Sequence, residues 1–135
     1  MKTCLVTGAT GLIGERVLQD LSRDWEIYAL TRTAPVHAQA HLHYLPVNFA
    51  DCWPQDLLPP QVDAVIHLAQ SEHFRQFPDK AVDMFQVNVM STLQLLDYAR
   101  QASAKTFVLA SSGGIYGHHD QEFREDEAVM ASADL

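Results

Sequence analysis

The chain has 135 residues and a formal net charge of −8, and 47% of its residues are hydrophobic. This composition predicts one folded domain with a buried core and excludes a disordered chain. The nine basic residues are scattered, which argues against a nucleic-acid partner, because a phosphate backbone requires clustered Lys and Arg. No stretch approaches membrane-spanning length. Two distant cysteines, Cys4 and Cys52, suggest a reduced, cytoplasmic protein.

The first residues combine a predicted strand, a glycine-rich turn and a predicted helix. Residues 2–7 are mostly β-branched or apolar, and residues 15–23 have helical spacing. Between them, Gly8 suits a tight turn, Gly11 admits a pyrophosphate close to the backbone, and Gly14 lets the helix pack on the strand. The helix N-terminus offers N–H groups to phosphates, so this stretch predicts a dinucleotide site. The predicted contacts here are Gly8, Thr10, Gly11, Leu12, Ile13 and Gly14.

A second strand is predicted over residues 26–32, and its last residues bear on the choice of cofactor. NAD-preferring folds usually place an Asp or Glu there for the ribose 2′-hydroxyl, whereas an Arg accommodates the 2′-phosphate of NADP. Thr31 and Arg32 stand at this place without an acid. The sequence therefore favours NADP, with NAD as the other candidate. A solvated strand-end role for Arg32 is the alternative.

Two further strands are predicted before the middle of the chain. Residues 41–47 form the third, and Asn48 and Phe49 at its end would lie beside the adenine in a doubly wound sheet. Residues 62–69 are almost continuously apolar, as a buried parallel strand requires. His67 within this run is interpreted as a satisfied core residue.

A long helix is predicted over residues 79–104, with Asp79 as a candidate N-cap. One apolar row consists of Phe85, Val89, Thr92, Leu96 and Ala99. A second row, consisting of Val82, Met84, Val87 and Leu95, indicates that more than one side is covered. The helix either only covers the sheet or also contacts a partner.

Residues 105–112 predict a fifth strand, so strands and helices alternate along the chain. This alternation predicts an α/β fold, a Rossmann-type doubly wound parallel sheet with flanking helices. Ligands bind outside the carboxyl ends of such strands. Further predicted cofactor contacts are Leu68, Ala69, Gln70, Asn88 and Ser111. No metal site is predicted.

Four segments in this order resemble the extended short-chain dehydrogenase/reductase family, the NAD-dependent epimerase/dehydratase group. They are TGATGLIG at 7–14, DAVIHLA at 63–69, NVMST at 88–92 and FVLASSGGIYG at 107–117. The resemblance implies hydride transfer on a sugar nucleotide or another alcohol or carbonyl substrate. It also implies a catalytic Ser, Tyr and Lys, of which Ser112 matches the serine. In the family, a helix matching 79–104 pairs with a second helix, so a homodimer is possible.

The family's Tyr-x-x-x-Lys pair is missing from these residues, because no tyrosine has a lysine four positions later. We interpret residues 1–117 as a partial NAD(P)-binding Rossmann domain. Residues 118–135 are interpreted as an interrupted connection towards a sixth strand and the substrate-binding part. The sequence thus predicts the cofactor-binding portion of an oxidoreductase, without catalytic competence by itself. The alternative is a non-catalytic NADP(H)-binding sensor or interaction module.

Overall fold

Five parallel strands form one sheet in the computed structural model, which describes residues 1–33, 39–116, 122 and 124–126. The strands are β1 (Lys2–Thr7), β2 (Trp25–Thr31), β3 (Leu42–Pro46), β4 (Ala64–His67) and β5 (Thr106–Leu109). Their order across the sheet is β3-β2-β1-β4-β5. The chain therefore winds outwards in both directions from β1, and the predicted Rossmann-type doubly wound fold is confirmed.

The helices are α1 (Leu12–Leu21), α2 (Ala81–Phe85) and α3 (Ser91–Gln101), and a π-helical turn over Gln86–Met90 joins the last two. Short 3₁₀ turns occupy Gln55–Leu57 and Gly113–Tyr116. No helix in the described part of the chain is both long and apolar enough to cross a membrane. Most of the predicted connection at 118–135 lies outside the described residues.

Helix α1 begins three residues earlier than predicted, at Leu12 and not at Glu15. Gly11 is the N-cap with extended backbone, and its carbonyl already accepts the N–H of Glu15 at 2.9 Å. Glycine and apolar residues at a helix start give no side-chain capping signal, so the boundary is hidden in the sequence. Gly14 thus lies inside the first turn of the helix.

The long helix predicted over residues 79–104 consists of α2, the π-helical turn and α3, and the described residues cover it on one side only. Neither predicted apolar row is buried as a whole. Val87 and Leu95 of the second row are buried together with Ala99 of the first row. Phe85 and Val89 of the first row are exposed together with Val82 of the second row. The spacing of apolar residues therefore does not identify which face of the helix meets the sheet. The exposed face consists of Val82, Phe85, Val89, Leu93 and Leu96.

Buried side chains form one layer on each face of the sheet. In β1, Leu5 belongs to the layer beneath α3, and Cys4 and Val6 belong to the layer beneath α1. Successive residues of a strand point to opposite faces of the sheet, so the buried residues of β1 contribute to both layers. Strand β5 is one edge of the sheet, and its Val108 and Leu109 are about half exposed, at 46% and 52%.

The glycines of the β1–α1 turn bring the helix into contact with the strand. Gly8 has a φ of +66°, the left-handed conformation that the predicted tight turn needs. A Cβ on Gly14 would lie 2.2 Å from the Gly8 carbonyl oxygen and 2.7 Å from the Ala9 Cα. Backbone atoms cannot yield as a flexible side chain does, so position 14 admits no side chain while α1 stays in place.

We expect Gly14→Ala to lower the free energy of unfolding by about 1–3 kcal/mol, because its Cβ overpacks the turn. Gly11→Ala is the matched control, since its Cβ would meet one atom only, the Gly8 oxygen at 3.3 Å. The control should cost less than about 1 kcal/mol. Urea unfolding of both variants measures the difference. Equal losses would contradict the close packing at Gly14.

Candidate dinucleotide site

A cleft of about 800 Å³ lies at the carboxyl ends of the strands, on both sides of the β1–α1 turn. Most of the predicted contact residues line it, although they are far apart in the sequence. These residues are Gly8, Thr10, Gly11, Leu12, Ile13, Gly14, Thr31, Arg32, Asn48, Phe49, Leu68, Ala69, Gln70 and Ser111. The exceptions are Asn88 and Ser112. The topology therefore assembles one site from five strand ends.

The N-terminus of α1 opens into this cleft. Gly11 caps the helix with no side-chain hydrogen bond, and the first-turn N–H groups have no partner within the helix. Leu12 and Ile13 in this turn are strongly exposed, at 92% and 63%. Backbone donors, a positive helix end and no Cβ at the cap form a site that suits an anion.

The hydroxyl of Thr7, the last residue of β1, fixes the backbone on the far side of the cleft. This buried oxygen accepts the N–H groups of Leu68 at 3.2 Å and Ala69 at 3.1 Å. Its own proton is then directed to His67 Nδ1, 2.6 Å away. The hydroxyl thus joins the end of β1 to the segment that follows β4.

His67 continues this hydrogen-bond chain to the long helix. With Nδ1 as acceptor, its Nε2–H donates to Thr92 Oγ1 at 3.0 Å, and that hydroxyl donates to the Asn88 carbonyl at 2.7 Å. This arrangement needs the neutral ring, and burial lowers the pKa of His67 to about 4. The interpretation of His67 as a satisfied core residue is confirmed.

Phe49 and Asn48 form the wall of the cleft at the end of β3. The buried Phe49 ring packs edge-on against His67, with the ring centroids 6.0 Å apart. The Asn48 amide donates to Asp51 Oδ2 at 2.7 Å, and its carbonyl oxygen accepts the Ala50 N–H at 3.3 Å. Asn48 therefore lines the cleft at the end of β3, with its side chain hydrogen-bonded within its own loop.

The segment after β4 contains cleft residues that the sequence analysis missed, namely Ser71, Glu72 and His73. The buried Ser71 donates its N–H to Asn88 Oδ1 at 2.8 Å and its hydroxyl to Asp83 Oδ2 at 2.5 Å. The predicted contact Asn88 thus positions this segment. The polar run directly after the apolar strand was the available signal, because strand ends supply ligand contacts in such folds.

Arg32 forms an ion pair across the cleft. Its Nη1 lies 3.0 Å from Glu72 Oε1, and both side chains are more than half exposed. Arg32 follows β2 and Glu72 follows β4, and these strands flank β1 in the sheet. The pair therefore bridges the cleft above the end of β1.

The two serines after β5 lie at the other side of the site. Ser111 lines the cleft, whereas Ser112 is exposed and its Oγ accepts the Gly114 N–H at 3.1 Å. This bond caps the 3₁₀ turn Gly113–Tyr116. Ser112 therefore stands next to the cleft wall, with its hydroxyl oxygen accepting a bond from the turn that follows it.

Comparison with known proteins identifies close parallels for this arrangement. The model of the NAD dependent epimerase/dehydratase family matches residues 4–133. The dTDP-D-glucose 4,6-dehydratase of Mus musculus is 28% identical over 92% of the chain and 39% of its own length. The dTDP-4-dehydro-6-deoxy-D-allose reductase of Streptomyces bikiniensis is 30% identical over 91% of the chain and 44% of its own length.

Solved structures agree with these matches. The structure of MoeE5 in complex with UDP-glucose and NAD is 27% identical, with a TM-score of 0.73 over 95% of this chain and 42% of that one. The chain thus spans about two fifths of the length of the proteins that it matches.

We expect the free energy of unfolding to fall as the pH drops from about 6.5 towards 4, because His67 is held neutral. Its folded-state pKa lies below the ordinary value of 6.5, so the unfolded chain takes up the proton first. The stabilisation from the neutral His67 ring is fully present above about pH 6.5. It is lost as the pH falls from there towards 4, by up to about 1.4 kcal/mol per pH unit.

Urea unfolding of the native chain and of His67→Gln at pH 5, 6 and 7 measures this effect. The glutamine does not titrate, so its variant should lose less stability between pH 7 and 5. The same slope in both proteins would show that another group causes it.

Proposed function

Because the chain belongs to the NAD-dependent epimerase/dehydratase family, we propose that it forms the NAD(P)-binding part of an oxidoreductase of this type. The proposed substrate class is a sugar nucleotide or another small molecule with an alcohol or carbonyl group. The dehydratase and the reductase named above, and MoeE5 with its UDP-glucose, support this class. The observation that carries the proposal is the cleft at the glycine turn and the α1 N-terminus.

The residues present fit a dinucleotide. The pyrophosphate would lie over Gly11, where no Cβ intervenes, and would accept first-turn N–H groups of α1. A chain with a net charge of −8 needs such a local electropositive place to hold phosphates. When bound, the nicotinamide supplies the hydride acceptor or donor of the reaction.

We further propose that the site prefers NADP and also accepts NAD. Arg32 extends from the end of β2, where a ribose 2′-phosphate would lie, and no acid precedes it on that strand end. NAD is the dinucleotide named with MoeE5, which supports a site that admits both.

Ser112 is the candidate catalytic residue of this chain, with the role of orienting the substrate hydroxyl. A tyrosine base with its ordinary pKa near 10 works poorly at neutral pH without a cationic neighbour. The 135 residues contain no Tyr-x-x-x-Lys pair. We therefore propose that these residues bind the cofactor and that chemistry requires groups from elsewhere.

We expect Arg32→Ala to weaken NADP binding by about tenfold and to leave NAD binding nearly unchanged, since only NADP presents a phosphate to the guanidinium. Isothermal titration of both dinucleotides measures this. Arg16→Ala is the control, because Arg16 pairs with Asp20 on α1 and does not line the cleft. Equal losses for both dinucleotides would refute the role of Arg32, and no binding of either would refute the dinucleotide site.

The exposed face of the long helix supports a second proposal, a homodimer. Its five large apolar residues recur along one side from Val82 to Leu96, and nothing in the described part of the chain covers them. Identical apolar faces of two helices can pack against each other about a two-fold axis. A second copy of this chain therefore fits this face.

Val89→Glu should convert the associating chain into a monomer, because it places a charge at the centre of this face. Sedimentation velocity over a concentration series measures the change. Leu57→Glu is the control, since Leu57 is similarly exposed, at 48%, but lies away from the helix. A native chain that sediments as a monomer throughout the series would overturn the homodimer.

A further inference from the structure

Glu72 pairs with the Arg32 guanidinium, the group proposed to contact the 2′-phosphate of NADP. Its carboxylate oxygen Oε1 lies 3.0 Å from Arg32 Nη1, and the Nε2 of the neighbouring His73 is 4.0 Å from the same oxygen. Among the described residues that line the cleft, Arg32 is the only Lys or Arg. The guanidinium is therefore already paired before a ligand arrives.

Of the two acidic residues in the described lining of the cleft, Glu72 is the one that pairs with Arg32. Asp83 is the other acidic residue in the described lining, and the Ser71 hydroxyl donates to its carboxylate. Ser71 is itself anchored to Asn88 through its N–H. Because Ser71 precedes Glu72 directly, this anchor holds the backbone of Glu72 on the side of the cleft opposite Arg32.

We propose that Glu72 determines how strongly the site discriminates NADP from NAD. A 2′-phosphate must displace the Glu72 carboxylate from Arg32 and then remain near that negative charge. NAD carries no charge at this position and leaves the ion pair intact. Glu72 thus reduces the preference for NADP that Arg32 provides, and it keeps NAD acceptable to the site. This inference rests on the proposed function, in which Arg32 contacts the 2′-phosphate.

The size of the effect follows from the exposure of the pair. Exposed ion pairs are weak, since water and salt screen them. We therefore expect Glu72→Gln to tighten NADP binding about two- to fivefold and to leave NAD binding unchanged. The gain should shrink when the salt concentration is raised from about 0.05 M to about 0.5 M.

The test is isothermal titration of NADP and NAD into the 135-residue chain, its Glu72→Gln and Arg32→Ala variants, and the double variant. Asp20→Asn is the matched control, because it breaks an equally exposed ion pair, with Arg16, outside the cleft. Competition for Arg32 requires that the gain from Glu72→Gln disappears when Arg32 is alanine.

Each outcome bears on the inference. A tighter NADP complex that depends on Arg32, with NAD unaffected, supports it. Equal changes for both dinucleotides, a gain that persists without Arg32, or weaker NAD binding alone would overturn it and leave the proposed function standing. Weaker NAD binding would mean that Glu72 contacts the ribose directly. No binding of either dinucleotide to the native chain would overturn the proposed function first.

Discussion

The candidate site depends on one buried hydroxyl. Thr7 Oγ1 accepts two N–H groups from the segment after β4 and donates to His67, so one atom joins the central strand to its neighbour. Through His67 and Thr92 the same chain of hydrogen bonds reaches the long helix. The Leu68 N–H is shared between the hydroxyl and the backbone carbonyl of Thr7. The low polarity around these groups makes an unpaired member of the network costly. The position of the cleft wall at Leu68 and Ala69 therefore follows from a network in the core.

The charged groups at the cleft do not follow the net charge of the chain. A chain with a net charge of −8 repels a dinucleotide at long range, yet the cleft combines Arg32 with a helix end that has no side-chain cap. Such local fields act within the first helical turn and within contact distance. The acids that line the cleft are held by partners, Glu72 by Arg32 and Asp83 by Ser71. Under the proposed function, a few groups and their partners would therefore bind the phosphates.

The sequence predicted the parts of this site that follow from backbone rules. Parallel strands place their carboxyl ends together, so Gly8, Arg32, Asn48 and Ala69 were correctly expected at one edge. The missed features depend on contacts between distant segments. The bond from Ser71 to Asp83 requires a loop and a helix to meet, and no periodicity encodes that. Apolar residues on more than one side of the long helix likewise left its buried face undetermined.

The exposed edge at β5 has a consequence for how the sheet can be extended. Within the described residues β5 has no strand on its outer side, and such an edge is a template for one more strand. A strand that joined there in parallel would end beside Ser112, because parallel strands bring their carboxyl ends to the same edge. New side chains would thus lie next to the serine without any rearrangement of the candidate cleft. In the part of the chain that the structure describes, the β5 edge is therefore the side on which the sheet can be extended towards Ser112.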